Sequence, residues 1–175
     1  RAWAAESGAL DLSTLREPYR IEGKKTLGLE LALQLGWRLP SAIVYPAGGG
    51  TGLIGMWKAF AELRALGWIE GEGPRMYLVQ STGCAPMVQA FARGSESAEA
   101  WPDPRTVASG LRVPSPLGDR LMLRTLRESN GGALAAARAL AEEGMLRAED
   151  EVVVFNTGAG WLYRGESAPQ TGPAD

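Results

Sequence analysis

Three glycines, a threonine and a fourth glycine, Gly48-Gly49-Gly50-Thr51-Gly52, follow the apolar run Ala42-Ile43-Val44-Tyr45 and lead into an amphipathic stretch. A strand that ends in such a loop and enters a helix offers bare backbone N–H groups and the positive end of a helix dipole to one point in space. Phosphate is the chemistry that the pattern suits. Without Cβ atoms the loop can take left-handed backbone angles and let an anion reach the amides, and Thr51 adds a hydroxyl donor. No Gly-Lys-Ser/Thr closes the loop, so it is not the lysine-bearing P-loop, and no acidic residue follows the next strand where a dinucleotide fingerprint needs one. A tight strand-to-helix turn that binds nothing is the plainer alternative.

Other chemistries are bounded by what the chain lacks. With no histidine and a single cysteine, Cys84, it has no Ser/His or Cys/His nucleophile pair, no intrachain disulfide and no cysteine-based zinc site. No metal is expected. Lys24 and Lys25 stand at the amino end of a predicted helix, against its dipole, and either face an anion or form a solvated pair. Glu22 either touches the ligand or caps its own helix. Ser81 and Thr82 end a strand, where such residues are common in any case. Cys84 and the six tryptophans read as packing residues.

The elements that must position the loop follow from periodicity. Leu27, Leu31 and Leu35 recur four apart and end at Gly36; Leu53, Met56, Trp57, Phe60 and Leu63 mark the helix behind the loop, ended by Gly67. Strands are predicted at 42–45, 75–80 and 151–155, further helices at 2–7, 86–93, 117–128 and 133–143, and an irregular polar loop at 94–105. This rhythm is that of an α/β protein, an open, twisted, mostly parallel sheet with helices on both faces. Ligands of such sheets sit beyond the carboxyl ends of the strands, where the loops 46–52, 81–83 and 156–160 collect.

At 175 residues, 45% hydrophobic and 22% charged, the chain is long enough for one domain. A net charge of −2 and a pI near 5.4 argue against nucleic acid or an anionic membrane as partner. Small molecules are better candidates. No apolar run of about 18 residues and no signal pattern is present, so a cytoplasmic location is expected. Three strands are few for a sheet covered on both faces, and the opening at Arg1 inside a helix suggests sequence missing upstream. The expected organisation is residues 1–165 as part of a cofactor-binding α/β domain, and 166–175 as a disordered tail.

Three strings together carry a resemblance: residues 12–26 (Leu12-Ser13-Thr14-Leu15-Arg16-Glu17-Pro18-Tyr19-Arg20-Ile21-Glu22-Gly23-Lys24-Lys25-Thr26), 45–60 (Tyr45-Pro46-Ala47 through Lys58-Ala59-Phe60) and 155–160 (Phe155-Asn156-Thr157-Gly158-Ala159-Gly160). They resemble threonine synthase and its close relatives, a pyridoxal-phosphate-dependent family of the tryptophan-synthase-β fold type, over about residues 1–163. The resemblance implies that Gly48, Gly49, Gly50, Thr51 and Gly52 hold the phosphate of pyridoxal 5'-phosphate and that the Thr157 hydroxyl faces its pyridine nitrogen. It implies a lyase of threonine biosynthesis that turns O-phosphohomoserine and water into threonine and phosphate, and it leaves room for a homodimer. A serine/threonine dehydratase and a non-catalytic cofactor-binding module are the alternatives.

Two departures qualify it. The family's Schiff-base lysine lies in its N-terminal part, and Lys24, Lys25 and Lys58 match no such motif, so the catalytic residue is unknown and the isolated chain is expected to be inactive. Residues 123–131 and 132–140 resemble two stretches that the family separates by a strand, a helix and a strand. A break in the chain near residues 130–132 is therefore expected, with a genuine deletion as the alternative.

Overall fold

The computed structural model describes residues 2–135 and 144–158. Along the chain come α1 (Ala2–Ser7), α2 (Tyr19–Gln34), β1 (Ala42–Pro46), α3 (Thr51–Ala65), β2 (Arg75–Val79), α4 (Pro86–Ala92), a 3-10 turn (Ser109–Leu111), α5 (Asp119–Glu128), β3 (Gly132–Leu134) and β4 (Val152–Val154). The predicted tail, 166–175, lies outside the described residues.

The strands form one parallel sheet in the order β3-β2-β1-β4. Period-two alternation divides β1 and β2 between two faces. Ile43, Tyr45, Met76 and Leu78 meet the buried sides of α2, α3, α4 and α5, with Phe60, Leu53, Met87, Met122 and Leu126 at the centre. Ala42, Val44 and Tyr77 point the other way, where Leu134, Met145 and Leu146 cover them. Connection handedness explains the division. The steps from β1 to β2 and from β2 to β3 run in one direction, so right-handed crossovers put their helices on the same face; Met145 and Leu146, which come before β4, pack on the opposite one.

Gly36 and Gly67 end α2 and α3 in the left-handed conformation, as their positions predict. The predicted helix at 133–143 is corrected at its start, because residues 132–134 are strand β3; 136–143 lie outside the described residues. The reason is what precedes them. The N–H of Asn130, itself at φ 52°, donates to Arg127 O, and the N–H of Gly131 donates to Leu126 O, the paired bonds of a Schellman helix end. That turn aims the chain along β2, where Tyr77 pairs with Gly132. No helix of the described residues is long and apolar enough to cross a membrane.

Candidate functional site

Gly50 caps the amino end of α3 at φ 80°, a left-handed angle that glycine adopts at little steric cost. No side chain caps this helix. Its first backbone bond runs from Ile54 N–H to Gly50 O at 3.0 Å. The N–H groups of Thr51, Gly52 and Leu53 come before that bond and have no acceptor among the described residues. They form an anion-ready fan at the positive end of the α3 dipole.

The sequence suggests that the glycines are there to admit a ligand; three of the four are also fixed by protein neighbours. A methyl on Gly48 would stand 2.7 Å from Val113 Cγ2 and 2.8 Å from Gly110 O. On Gly50 it would overlap Met122 Sδ, and on Gly52 the Tyr45 hydroxyl. Only Gly49 has a single near neighbour, Thr14 Cγ2 at 3.2 Å. Packing against α5, β1 and the 3-10 turn thus holds the loop in the shape that leaves its amides free.

A cavity of about 590 Å³ opens at the carboxyl ends of β1 and β4. Tyr45 and residues 46–52 line one side, and Asn156, Thr157 and Gly158, just past β4, line the other. Gly48, Gly49, Gly50, Thr51, Gly52 and Thr157 therefore share one space. The place is where the strand order reverses, since β2 and β4 lie on opposite sides of β1. Val107, Ala108, Gly110 and Leu111 close the cavity from a third direction. The sequence reading missed them, because they belong to an irregular segment with no periodicity; Gly110, whose carbonyl lies against Gly48, was the available signal.

Other candidates lie elsewhere. The chain has three lysines, and none lines the cavity. Lys25 Nζ lies 2.8 Å from both Glu22 and Glu62, and Lys58 pairs with the same two carboxylates, so Glu22 ties α2 to α3 rather than facing a ligand. The hydrogen bond to Glu22, then the one to Glu62, holds the Lys25 ammonium above its ordinary value. Lys24 is exposed on α2. Cys84 is buried, as expected of a packing residue.

Gln80, which the sequence reading passed over as a strand end, is almost fully buried. Its amide Nε2 donates to Ala47 O at 3.3 Å, and its Oε1 accepts from Met87 N–H at 2.8 Å and more weakly from Val88 N–H at 3.4 Å. One side chain thus ties the start of the glycine loop to the amino end of α4. Gln80→Leu leaves these backbone groups buried without partners, at about 1–3 kcal/mol each. The urea midpoint of unfolding is expected to fall by the equivalent of about 2–4 kcal/mol, with m unchanged.

An uncapped amide fan, a cradle that Cβ atoms would fill and a hydroxyl across a cavity of this size fit a small phosphorylated aromatic cofactor. Residues 1–159 match the family described as pyridoxal-phosphate dependent enzyme. The chain belongs to this family. Its fold and its cofactor are therefore those of the pyridoxal-phosphate enzymes, and the cavity is the place in this chain whose donors suit the cofactor's phosphate.

Among curated relatives of this family member, a threonine synthase of Methanosarcina acetivorans is 34% identical over 135 residues, 77% of this chain and 32% of that protein. One of Methanocaldococcus jannaschii is 27% identical over 173 residues, 82% of this chain and 42% of that protein. The chain thus spans 32% to 42% of the length of these relatives. Of its 175 residues, 82% is about 143, so about 30 of those 173 aligned positions have no counterpart here. Among solved structures, a threonine deaminase of T.th. superposes with a TM-score of 0.56 at 28% identity, over 81% of this chain and 49% of that one. Threonine deaminase isoform 2 of Solanum lycopersicum shares the fold at a TM-score of 0.67 and 18% identity, over 93% of this chain and 53% of that one.

Proposed function

We propose that this chain supplies the phosphate-binding half of a pyridoxal-phosphate site in a carbon–oxygen lyase resembling threonine synthase, with O-phosphohomoserine and water as substrates and threonine and phosphate as products. The observation that carries the reading is that the amino end of α3, with its open amides, and Thr157 line one cavity. In it, Gly48, Gly49, Gly50, Thr51 and Gly52 take the phosphate through backbone N–H groups and the Thr51 hydroxyl. Thr157 would face the pyridine nitrogen with a neutral hydroxyl, which would leave the ring less protonated than an aspartate does. The cofactor, when bound, supplies an electron sink for charge that develops beside the substrate's amino group. Val107 and Leu111 give that region an apolar lining.

No lysine reaches this cavity, so the reacting amine must come from outside the chain as given. The same observation favours a second reading, a module that binds the cofactor without turning it over. The likeness to a threonine deaminase structure keeps a dehydratase as a third. A cytoplasmic location and a homodimer accompany the first reading by family resemblance. The missing positions belong, on this reading, at residues 130–132, where two stretches that relatives hold apart are joined.

The test is a titration of the purified chain with pyridoxal 5'-phosphate, followed by its absorbance. Saturable binding is expected, is expected to be lost in Gly49→Val, and should leave no adduct on any lysine after borohydride treatment and peptide mass analysis. Phosphate release from O-phosphohomoserine by the isolated chain would overturn the half-site reading. Unchanged binding by a folded Gly49→Val chain would remove the glycine loop from the site.

A further inference from the structure

Tyr45 is the one cavity-lining aromatic residue on β1, and it is only 8% exposed. Its ring packs edge-on against Phe155, with centroids 5.5 Å apart and planes at 63°. A phenylalanine would make that contact equally well. The hydroxyl is what needs a reason: it makes no hydrogen bond to a described residue, yet it is not among the oxygens sealed off without a partner, which leaves it facing the cavity that Tyr45 lines.

Its position is defined by Gly52. A Cβ built there would overlap the Tyr45 hydroxyl, and Cβ bonds in a helix tilt toward the amino end. The oxygen therefore lies on the amino-terminal side of the first turn of α3, beside the N–H groups of Thr51 and Gly52 that have no acceptor. Glycine inside a helix is unfavourable relative to alanine. Here it makes room for an oxygen that neither caps the helix nor bonds any other group among the described residues. Burial pushes the phenol's pKa up, so it keeps its proton at neutral pH and is available as a donor.

We propose that the Tyr45 hydroxyl is a phosphate donor, hydrogen-bonding the phosphate group held at the amino end of α3 alongside the backbone N–H groups of Thr51 and Gly52. This rests on the phosphate-loop reading above and adds a side chain from β1 to it. The phosphate belongs either to the cofactor or to a phosphorylated substrate, and both offer the same acceptor oxygens. Gly52 then has a second duty: it admits the tyrosine oxygen.

Wild type and Tyr45→Phe are titrated with pyridoxal 5'-phosphate, with pyridoxal and with O-phosphohomoserine, with thermal unfolding as a check that the ring's packing survives. Affinity for pyridoxal 5'-phosphate is expected to fall about tenfold in the variant, the effect of one hydrogen bond to a charged group, while pyridoxal binds both proteins alike. The ³¹P resonance of the bound cofactor should shift as well. A loss confined to O-phosphohomoserine would assign the hydroxyl to the substrate's phosphate instead. If wild type prefers pyridoxal 5'-phosphate to pyridoxal and the variant keeps both that preference and the affinities for all three, the tyrosine's part is overturned and the loop stands. If wild type shows no preference and no binding of O-phosphohomoserine, the phosphate loop itself fails, and the tyrosine with it.

Discussion

Gly131→Ala is expected to cost about 3 kcal/mol or more of folding stability, the upper end of what overpacking does in a rigid core. A methyl on Gly131 would overlap the Met76 carbonyl oxygen, with Met76 C at 2.6 Å and Met76 N at 2.8 Å. All three atoms are backbone of β2, which cannot swing aside as a side chain does. The neighbourhood is already committed: Met76 N–H donates to Ser129 Oγ at 3.1 Å, and that hydroxyl donates to Leu126 O at 3.1 Å. Forcing β2 away would break these bonds and the pairing of β2 with β3. For a chain of this size the loss corresponds to a fall in Tm of about 6–12 °C. Thermal unfolding measures it, and a change under about 2 °C, less than a single kcal/mol produces, would mean that the join between α5 and β3 is looser than described.

Gly50→Ala is expected to weaken pyridoxal 5'-phosphate binding by more than about tenfold while costing about 2–3 kcal/mol of stability. Alanine at φ 80° is strained, and its methyl would overlap the sulfur of Met122, which is fully buried on α5. The methionine can move part of the way, because its side chain is unbranched and flexible. The loop relaxes the rest of the way by rotating, and that rotation turns the α3 amides off their common point. Equilibrium dialysis and urea unfolding separate the two effects. Shortening Met122 in the same chain should make the pair less costly than the sum of the single changes, since it removes the overlap and leaves only the backbone strain. Strict additivity would place the cost in the dihedral angle alone.

The part of the site legible from sequence is the part written in consecutive residues. Ala42-Ile43-Val44-Tyr45 followed by Gly48 to Gly52 and the stripe Leu53, Met56, Phe60, Leu63 specifies strand, loop and helix in order, and α3 begins at Thr51 as that order requires. The meeting of Thr157 with this loop was legible because a parallel sheet brings the carboxyl ends of its strands to one edge. β3 was not legible. Its three residues, Gly132, Ala133 and Leu134, carry no strand pattern, and they pair with β2 only because the Schellman turn before them delivers the chain there. Gln80 and Tyr45 were passed over for a related reason: strand periodicity says that a residue is buried, whereas their roles lie in which groups a single polar atom meets after folding. Val107 and Leu111 reach the cavity from a segment that no periodicity describes.

The sheet order sets the sequence of events in assembly. β1, α3 and β2 are neighbours in the chain and can pair soon after synthesis, whereas β4 returns from the far end of the described chain to lie against β1, with Ala42 opposite Val152. Pairings of such high contact order form late. The glycine loop and its helix are therefore built early, while the wall that carries Thr157 arrives with the last strand. A nascent chain is expected to form the anion site before the cavity, and ligands that reach both walls favour the completed sheet over every earlier form.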